Sequence, residues 1–240
     1  MALRPWSPVP ITDNGEPLLP LPAQLLRLEP HPYLAVGAPY GSYGSPFRLR
    51  QGVIERLLQA QTVLQTTQPG WRLAIFDAWR PLAVQRFMVE HAIAEECHAR
   101  GLDREHPSAE LDAVVAEVGR FWAPPSDDPA TPPPHSTGAA VDLTLARADG
   151  ALVDMGSPID AIGAVSEPDH YARVAEGLPD GPERRQTLAW HGDRQLLAQA
   201  MASAGFAQHP NEWWHFSWGD QLWAWRLGQD QACYGRWLGA

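Results

Sequence analysis

Proline sets the tightest limit on how this chain can fold. Its 240 residues include 24 prolines and 20 glycines. Each proline fixes φ and withdraws a backbone donor, so helices and central strands must fit between the breakers. Hydrophobic residues make up 45%, including eleven tryptophans, which is material for a proper core, while charged residues reach only 19%. That balance points to a loop-rich α+β protein.

Residues 1–50 are rich in proline and contain the stretch Gly37-Ala38-Pro39-Tyr40-Gly41-Ser42-Tyr43-Gly44. A segment of this kind wraps a domain or forms one wall of a cleft, and residues 1–30 read as an irregular N-terminal wrap. From Gln51 the period is helical, with Val53, Ile54, Leu57, Leu58 and Leu64 on one side until Pro69-Gly70. Arg72 to Asp77 reads as a strand. Pro81 suits the first turn of a helix carrying Val84, Phe87, Met88 and Ala92, and another helix starts after Ser108. Residues 123–134 form a Pro-rich loop that is internal to one domain spanning 1–240, because the motifs on its two sides need each other. Beyond it, Ala140 to Leu145 alternates as a half-buried strand, with Val141, Leu143 and Leu145 inward and Asp142 and Thr144 on the other face. Residues 183–204 form a helix closed by Gly205, and Trp213 to Trp218 reads as an aromatic strand.

All 18 basic residues are arginine. Without lysine there is no Schiff base, no Walker-A loop and no Ser-x-x-Lys acylase. A formal net charge of −10 argues against binding nucleic acid over a broad face. Two cysteines, Cys97 and Cys233, make neither a disulfide framework nor a Cys-rich zinc site. No apolar run is long enough to cross a bilayer, and the N-terminus lacks a signal core. The expectation is a soluble, cytoplasmic protein without membrane partners; nothing in the sequence fixes an oligomeric state.

Three places put polar groups where packing alone would not. His135 ends the Pro-rich loop, small residues follow, and Asp142 lies on the polar face of the next strand. Glu212 and His215 flank Trp213-Trp214; three residues apart on an ideal strand, they meet only if the chain bends, and Pro210-Asn211 supplies a bend. Arg80 sits in Asp77-Ala78-Trp79-Arg80-Pro81, between strand end and helix start. Two histidines, an aspartate and a spare glutamate match a catalytic zinc site, in which three protein ligands leave a position for water and a carboxylate takes its proton. A guanidinium nearby can stabilise an oxyanion. Singly, each residue also has an ordinary structural reading: His135 a loop histidine on water, Asp142 facing solvent, Glu212 and His215 at a sheet rim. The remaining histidines, His31 and His209 among them, read as surface or structural.

Together the three motifs, in this order, resemble those of the zinc D-alanyl-D-alanine dipeptidases of the vancomycin-resistance type, over about residues 30–220. The resemblance implies that His135, Asp142 and His215 hold one Zn2+ per chain, that Glu212 is the general base, and that Arg80 stabilises the tetrahedral intermediate. Met155-Gly156-Ser157-Pro158-Ile159-Asp160 resembles the segment whose aspartate, here Asp160, binds the ammonium of a small dipeptide substrate. The implied fold has a small antiparallel sheet bearing the zinc, packed with helices. The family commonly has serine two residues before the first histidine; here it is Pro133, which cannot donate. Three rival readings stand beside this one: a D,D-carboxypeptidase on longer peptides, a two-His-one-carboxylate iron oxygenase, and a non-enzymatic binder of peptidoglycan fragments.

Overall fold

The computed structural model describes residues 4–238. In chain order the elements are β1 (Leu18–Pro20), β2 (Leu26–Arg27), α1 (Pro32–Ala35), β3 (Arg48–Arg50), α2 (Gln51–Thr67), β4 (Arg72–Asp77), α3 (Leu82–Ala99), α4 (Ala109–Phe121), β5 (Ala140–Ala146), α5 (His170–Glu176), α6 (Pro182–Ser203), β6 (Ala207–Gln208), β7 (His215–Ser217) and α7 (Gln221–Leu227). Short 3-10 turns lie at Gly41–Tyr43, Pro134–Thr137 and Ala164–Ser166. Five strands form one sheet in the order β2-β4-β5-β7-β6, and β1 pairs with β3 in a separate ribbon. Pairings from β4 through β6 are antiparallel, as expected, while β2 adds a parallel edge. The mixture α+β is the fold class read from the sequence.

One face of the sheet makes the main core. Leu73, Ile75, Val141, Leu143 and Leu145 project from β4 and β5 against Val53, Leu57 and Leu64 of α2 and Leu197 and Met201 of α6. A second cluster joins Val84, Met88, Val114 and Val118 of α3 and α4 to Tyr33 and Tyr40, and Phe76 packs against it from the opposite face of β4. Strand β5 is therefore buried on both faces rather than half-exposed: Asp142 and Thr144 are covered too.

The helix boundaries follow local chemistry. Ser108 Oγ accepts from Leu111 N at 3.1 Å, with Glu110 and Asp112 in the first turn, so α4 begins with a capped and dipole-matched end. Pro182 opens α6, and Gly205, at φ +83°, turns the chain away. Pro81 stands just outside α3, one position earlier than the reading placed it. Sequences too short to show a period held the surprises. The N-terminal 30 residues are not wholly irregular, since β1 and β2 lie among them, and α5, β6 and α7 were not anticipated. The aromatic strand is confined to His215–Ser217, because Trp213 and Trp214 lie in a turn. Trp225, on α7, is 40% exposed.

Two local features aim the site. Between Ile75, paired with Leu143, and Asp77, paired with Asp142, the register of β4 slips, leaving Phe76 as an extra residue. Strict alternation would put Asp77 on the core face with Ile75; the bulge swings it round to Asp142. Gly138, at φ +73°, ends the turn that carries His135, and a Cβ there would meet Leu18 Cδ1 at 2.3 Å. Only glycine fits both demands.

That turn is held from behind by Arg50, which is 1% exposed. Its Nε donates to Thr137 O at 2.8 Å, Nη1 to Glu16 O at 2.6 Å, and Nη2 to Asp13 Oδ2 at 2.8 Å and Gly235 O at 3.1 Å. The rings of Trp237 and Tyr234 lie 4.8 and 5.3 Å from its guanidinium carbon. One planar fork thus ties both ends of the chain to the His135 turn. Arg50→Ala is expected to destabilise the protein by about 3–5 kcal/mol in urea denaturation, the usual cost of breaking a buried, multiply bonded charge. Arg50→Lys should recover only part of that loss, since an ammonium cannot serve diverging acceptors from one plane.

Candidate metal centre

The 3-10 turn brings His135, β5 brings Asp142 and β7 brings His215 to one point. One ligand-type atom from each lies within 4.8 Å of the other two, and all three residues are buried. His135 Nε2 is 3.2 Å from His215 Nδ1 and 3.1 Å from Asp142 Oδ2, and His215 Nδ1 is 3.0 Å from Asp142 Oδ1. His135 Nδ1 lies 2.7 Å from the Ala78 carbonyl, which accepts only a proton-bearing nitrogen. In a neutral ring the lone pair on Nε2 then points inward, the tautomer a metal ligand needs. Two imidazole nitrogens and a carboxylate oxygen, buried together, fit a divalent ion such as zinc.

The charges agree with that reading. Burial opposes ionisation of Asp142, but His135 and His215 override it and hold the carboxyl far below its ordinary range. For His135, burial is outweighed chiefly by Asp142, so its pKa rises; for His215 burial wins and its pKa falls. Glu212 stands beside them, with Oε2 3.6 Å from His215 Nδ1. The turn at Pro210 to Trp214 makes this possible, extending the bend foreseen at Pro210-Asn211. Glu212 is 5% exposed, and its Oε1 has no hydrogen-bond partner among the described residues. Burial first, then Asp142 and Asp160, push its pKa well above the carboxylate range. A buried carboxylate with a free oxygen beside ligand-type atoms is what a cation and a water would satisfy.

Arg80 is placed by the junction of β4 and α3. Its Nε and Nη2 donate to Asp77 Oδ2 at 3.0 and 2.7 Å, and Nη1 donates to Gln85 Oε1 at 3.0 Å. Nη2 also reaches the Tyr33 hydroxyl at 3.1 Å and Asp142 Oδ2 at 3.3 Å. The rings of Tyr33 and Trp122 each lie 4.9 Å from its guanidinium carbon. Asp77 is itself bonded: His31 Nε2 approaches Oδ1 at 3.0 Å, and the Tyr40 hydroxyl donates to Oδ1 at 3.2 Å. Because Tyr33 N donates to His31 Nδ1, a neutral His31 carries its proton on Nε2, facing Asp77. Although Asp77 is fully buried, Arg80, His31 and His135 keep its carboxyl far below the ordinary range.

Asp160 is brought to the same recess. Tyr33 donates to its Oδ2 at 2.8 Å, and the residue takes φ +65°, a left-handed conformation costly for a non-glycine residue. Burial and the nearby Asp142 push its pKa up to about 7. The recess is lined by all six residues singled out from the sequence: Arg80, His135, Asp142, Asp160, Glu212 and His215.

Sequence reasoning missed the residues behind and beside them. His31, Tyr33 and Tyr40 come from the aperiodic N-terminal stretch, where only their chemistry could have drawn notice. His209, read as surface or structural, is buried and borders the site: Asn211 N donates to its Nδ1 at 3.3 Å, and its ring lies 5.4 Å from those of His215 and Trp6. Arg4 and Trp6 also line the recess, so the N-terminal segment does form one wall of the cleft.

Comparison with known proteins agrees with this geometry. The sequence profile of the Peptidase_M15 family, described as D-ala-D-ala dipeptidase, matches residues 27–234. The D-alanyl-D-alanine dipeptidase of Synechocystis sp. is 45% identical over 229 residues, covering 95% of this chain and 92% of that protein. The D-alanyl-D-alanine dipeptidase of Enterococcus faecium is 29% identical over 163 residues, 68% of each chain. Among solved structures, a vancomycin-resistance D,D-pentapeptidase crystallised with Zn(II) aligns over 93% of this chain and 96% of its own at 15% identity, with a TM-score of 0.40, too remote to argue from. Three motifs in order, a buried His-Asp-His cluster and a profile match over most of the sequence lead to one conclusion: the chain belongs to the D-Ala-D-Ala dipeptidase family of metallopeptidases.

Proposed function

We propose that this protein hydrolyses free D-alanyl-D-alanine, using one zinc ion held by His135, Asp142 and His215. The observation that carries this reading is Glu212 Oε1, buried without a partner beside three converging ligand-type atoms. Bound there, zinc would supply Lewis acidity to an amide carbonyl and make a water acidic near neutral pH. Glu212 takes the proton of the attacking water and delivers it to the leaving amine. Arg80, fixed by Asp77, Gln85 and Tyr33, presents Nη2 to the oxygen that gains charge, with no reorganisation needed at that moment. Asp160 receives the substrate ammonium, together with the Tyr33 hydroxyl already bonded to it. An ammonium there restores the charged form that burial disfavours.

This reading treats residues 1–240 as one catalytic domain. It places the enzyme in the cytoplasm, in keeping with two cysteines that stand free. Among the described residues, no helix is long and apolar enough to cross a membrane.

Three results test the reading. Glu212→Gln should retain bound zinc by elemental analysis yet lose turnover by about 1,000-fold or more; appreciable hydrolysis by this variant removes Glu212 from its role. Purified protein should cleave D-alanyl-D-alanine but not L-alanyl-L-alanine or N-acetyl-D-alanyl-D-alanine, and a chelator should stop it. Cleavage of the acetylated compound would favour a carboxypeptidase, and iron with 2-oxoglutarate dependence an oxygenase. Asp77→Asn frees the Arg80 fork, so kcat should fall by about 10- to 100-fold with little change in KM. Metal-free protein should also lose about 3 kcal/mol at neutral pH. Because the folded pKa of Asp77 lies below its unfolded value of 3.8, that contribution is complete above about pH 5 and fades as pH falls further. The stability gap between variant and parent should therefore narrow in acid denaturation series.

A further inference from the structure

A free dipeptide carries two charged ends, and the reading above, on which this inference rests, gives a partner only to the ammonium. A carboxylate entering a buried recess needs a donor of its own. The cations lining the recess are Arg4 and Arg80. Arg80, fixed by Asp77, Gln85 and Tyr33, is in that reading given to the oxygen that gains charge, which leaves Arg4 for the second end.

Arg4 is anchored but unsatisfied. Its Nη2 donates to Trp122 O at 2.8 Å and Nη1 to Arg120 O at 3.4 Å, which pins the guanidinium against the end of α4. Its Nε is buried with no acceptor among the described residues. Of the polar side chains in the cavity that Arg4 also borders, Gln221 already donates to Ser7 O, Val9 O and Ala130 O, and the Ser126 and Thr131 hydroxyls bond each other. Ala123 and Pro134 flank it in the recess, and Pro132 and Pro133 line the adjoining cavity that Arg4 also borders. None of these side chains donates, and the prolines have no backbone N–H.

Arg4 and Asp160 line the same recess through different neighbours. Contacts run from Asp160 through Tyr33 and Arg80 to Asp142 and His215, then through Glu212 and His209 to Trp6, while Arg4 is held by Trp122, whose ring lies 5.9 Å from that of Tyr33. The Arg4 guanidinium lies 5.9 Å from the Trp6 ring, and the carboxylate whose charge it senses is Glu212. Asp160 and Arg4 thus both border the recess that holds the His-Asp-His cluster, one offering a carboxylate and the other a guanidinium to the two ends of a dipeptide. Arg4 and Trp6 also lie before residues 27–234, the part that the family profile matches.

We propose that Arg4 binds the C-terminal carboxylate of the dipeptide, so that the N-terminal segment selects substrates ending one residue after the cleaved amide. Trp6, packed edge-on against His209, docks that segment on the catalytic wall. The fork geometry of a guanidinium suits a carboxylate, and the partnerless Nε gains an acceptor only when one arrives.

The test is binding to zinc-loaded Glu212→Gln protein, which holds ligand without consuming it. Calorimetry compares D-alanyl-D-alanine with its C-terminal amide. The parent should prefer the dipeptide, and adding Arg4→Ala should weaken the dipeptide by about 10- to 100-fold while leaving the amide unchanged. Arg4→Lys should restore part of the preference. A purely structural role would weaken both ligands alike, so equal losses, an unchanged preference after Arg4→Ala, or no preference in the parent would each overturn the proposal. Hydrolysis by unsubstituted protein is measured separately; its absence strikes the proposed function and leaves this binding comparison readable.

Discussion

A fully buried carboxylate, Asp77, organises this molecule. It is reached by His31 and Tyr40 from the N-terminal stretch, by Arg80 from the start of the next helix, and by His135, whose Nδ1 is 3.4 Å from Oδ2. An isolated charge in such surroundings would not survive; it would neutralise or draw in water. Here partners from three parts of the chain share it, so forming the site and closing the fold around it are one event. The arrangement also explains why Arg80 can stand near a cluster of ligand-type nitrogens. Asp77 balances its charge from behind, leaving one edge of the guanidinium toward Asp142.

Much of this was readable in the sequence because it rests on period and punctuation. The helices after Arg50, Pro81, Ser108 and Gly181 and the strands at 72–77 and 140–146 are long enough to show an apolar repeat, and their ends carry breakers or caps. The grouping of His135, Asp142, Glu212 and His215 was legible because polar residues interrupt apolar or small-residue runs. Strands of two or three residues, such as β2, β6 and β7, carry no period to detect. Trp213 and Trp214 look like strand residues by composition, yet they turn so that Glu212 and His215 face one another. His31, Tyr33 and Tyr40 were invisible for another reason. Their role depends on which distant strand end they meet, and a local pattern holds no record of that.

The absence of lysine takes on a structural sense beside these contacts. The buried cations, Arg50, Arg80 and Arg194, each serve several acceptors at once through a planar fork. Arg194 donates to Met155 O, Glu167 O, Val165 O and Ser157 Oγ, holding the loop that leads to Asp160. A single ammonium could not span such sets. The tryptophans complete the pattern by stacking under guanidinium groups, as Trp122 does for Arg80 and Trp213 for Arg194.

The bulge at Phe76 makes chain length, as well as residue identity, part of the chemistry. One extra residue between Ile75 and Asp77 decides which side of the sheet receives the aspartate, while Ile75 and Leu143 keep their places in the core. The hydrophobic register and the polar register of β4 are therefore offset by one step. Relatives of this protein can exchange the side chain at position 76 and keep both registers, but a chain that lost or gained a residue there would have to choose between its core and its site.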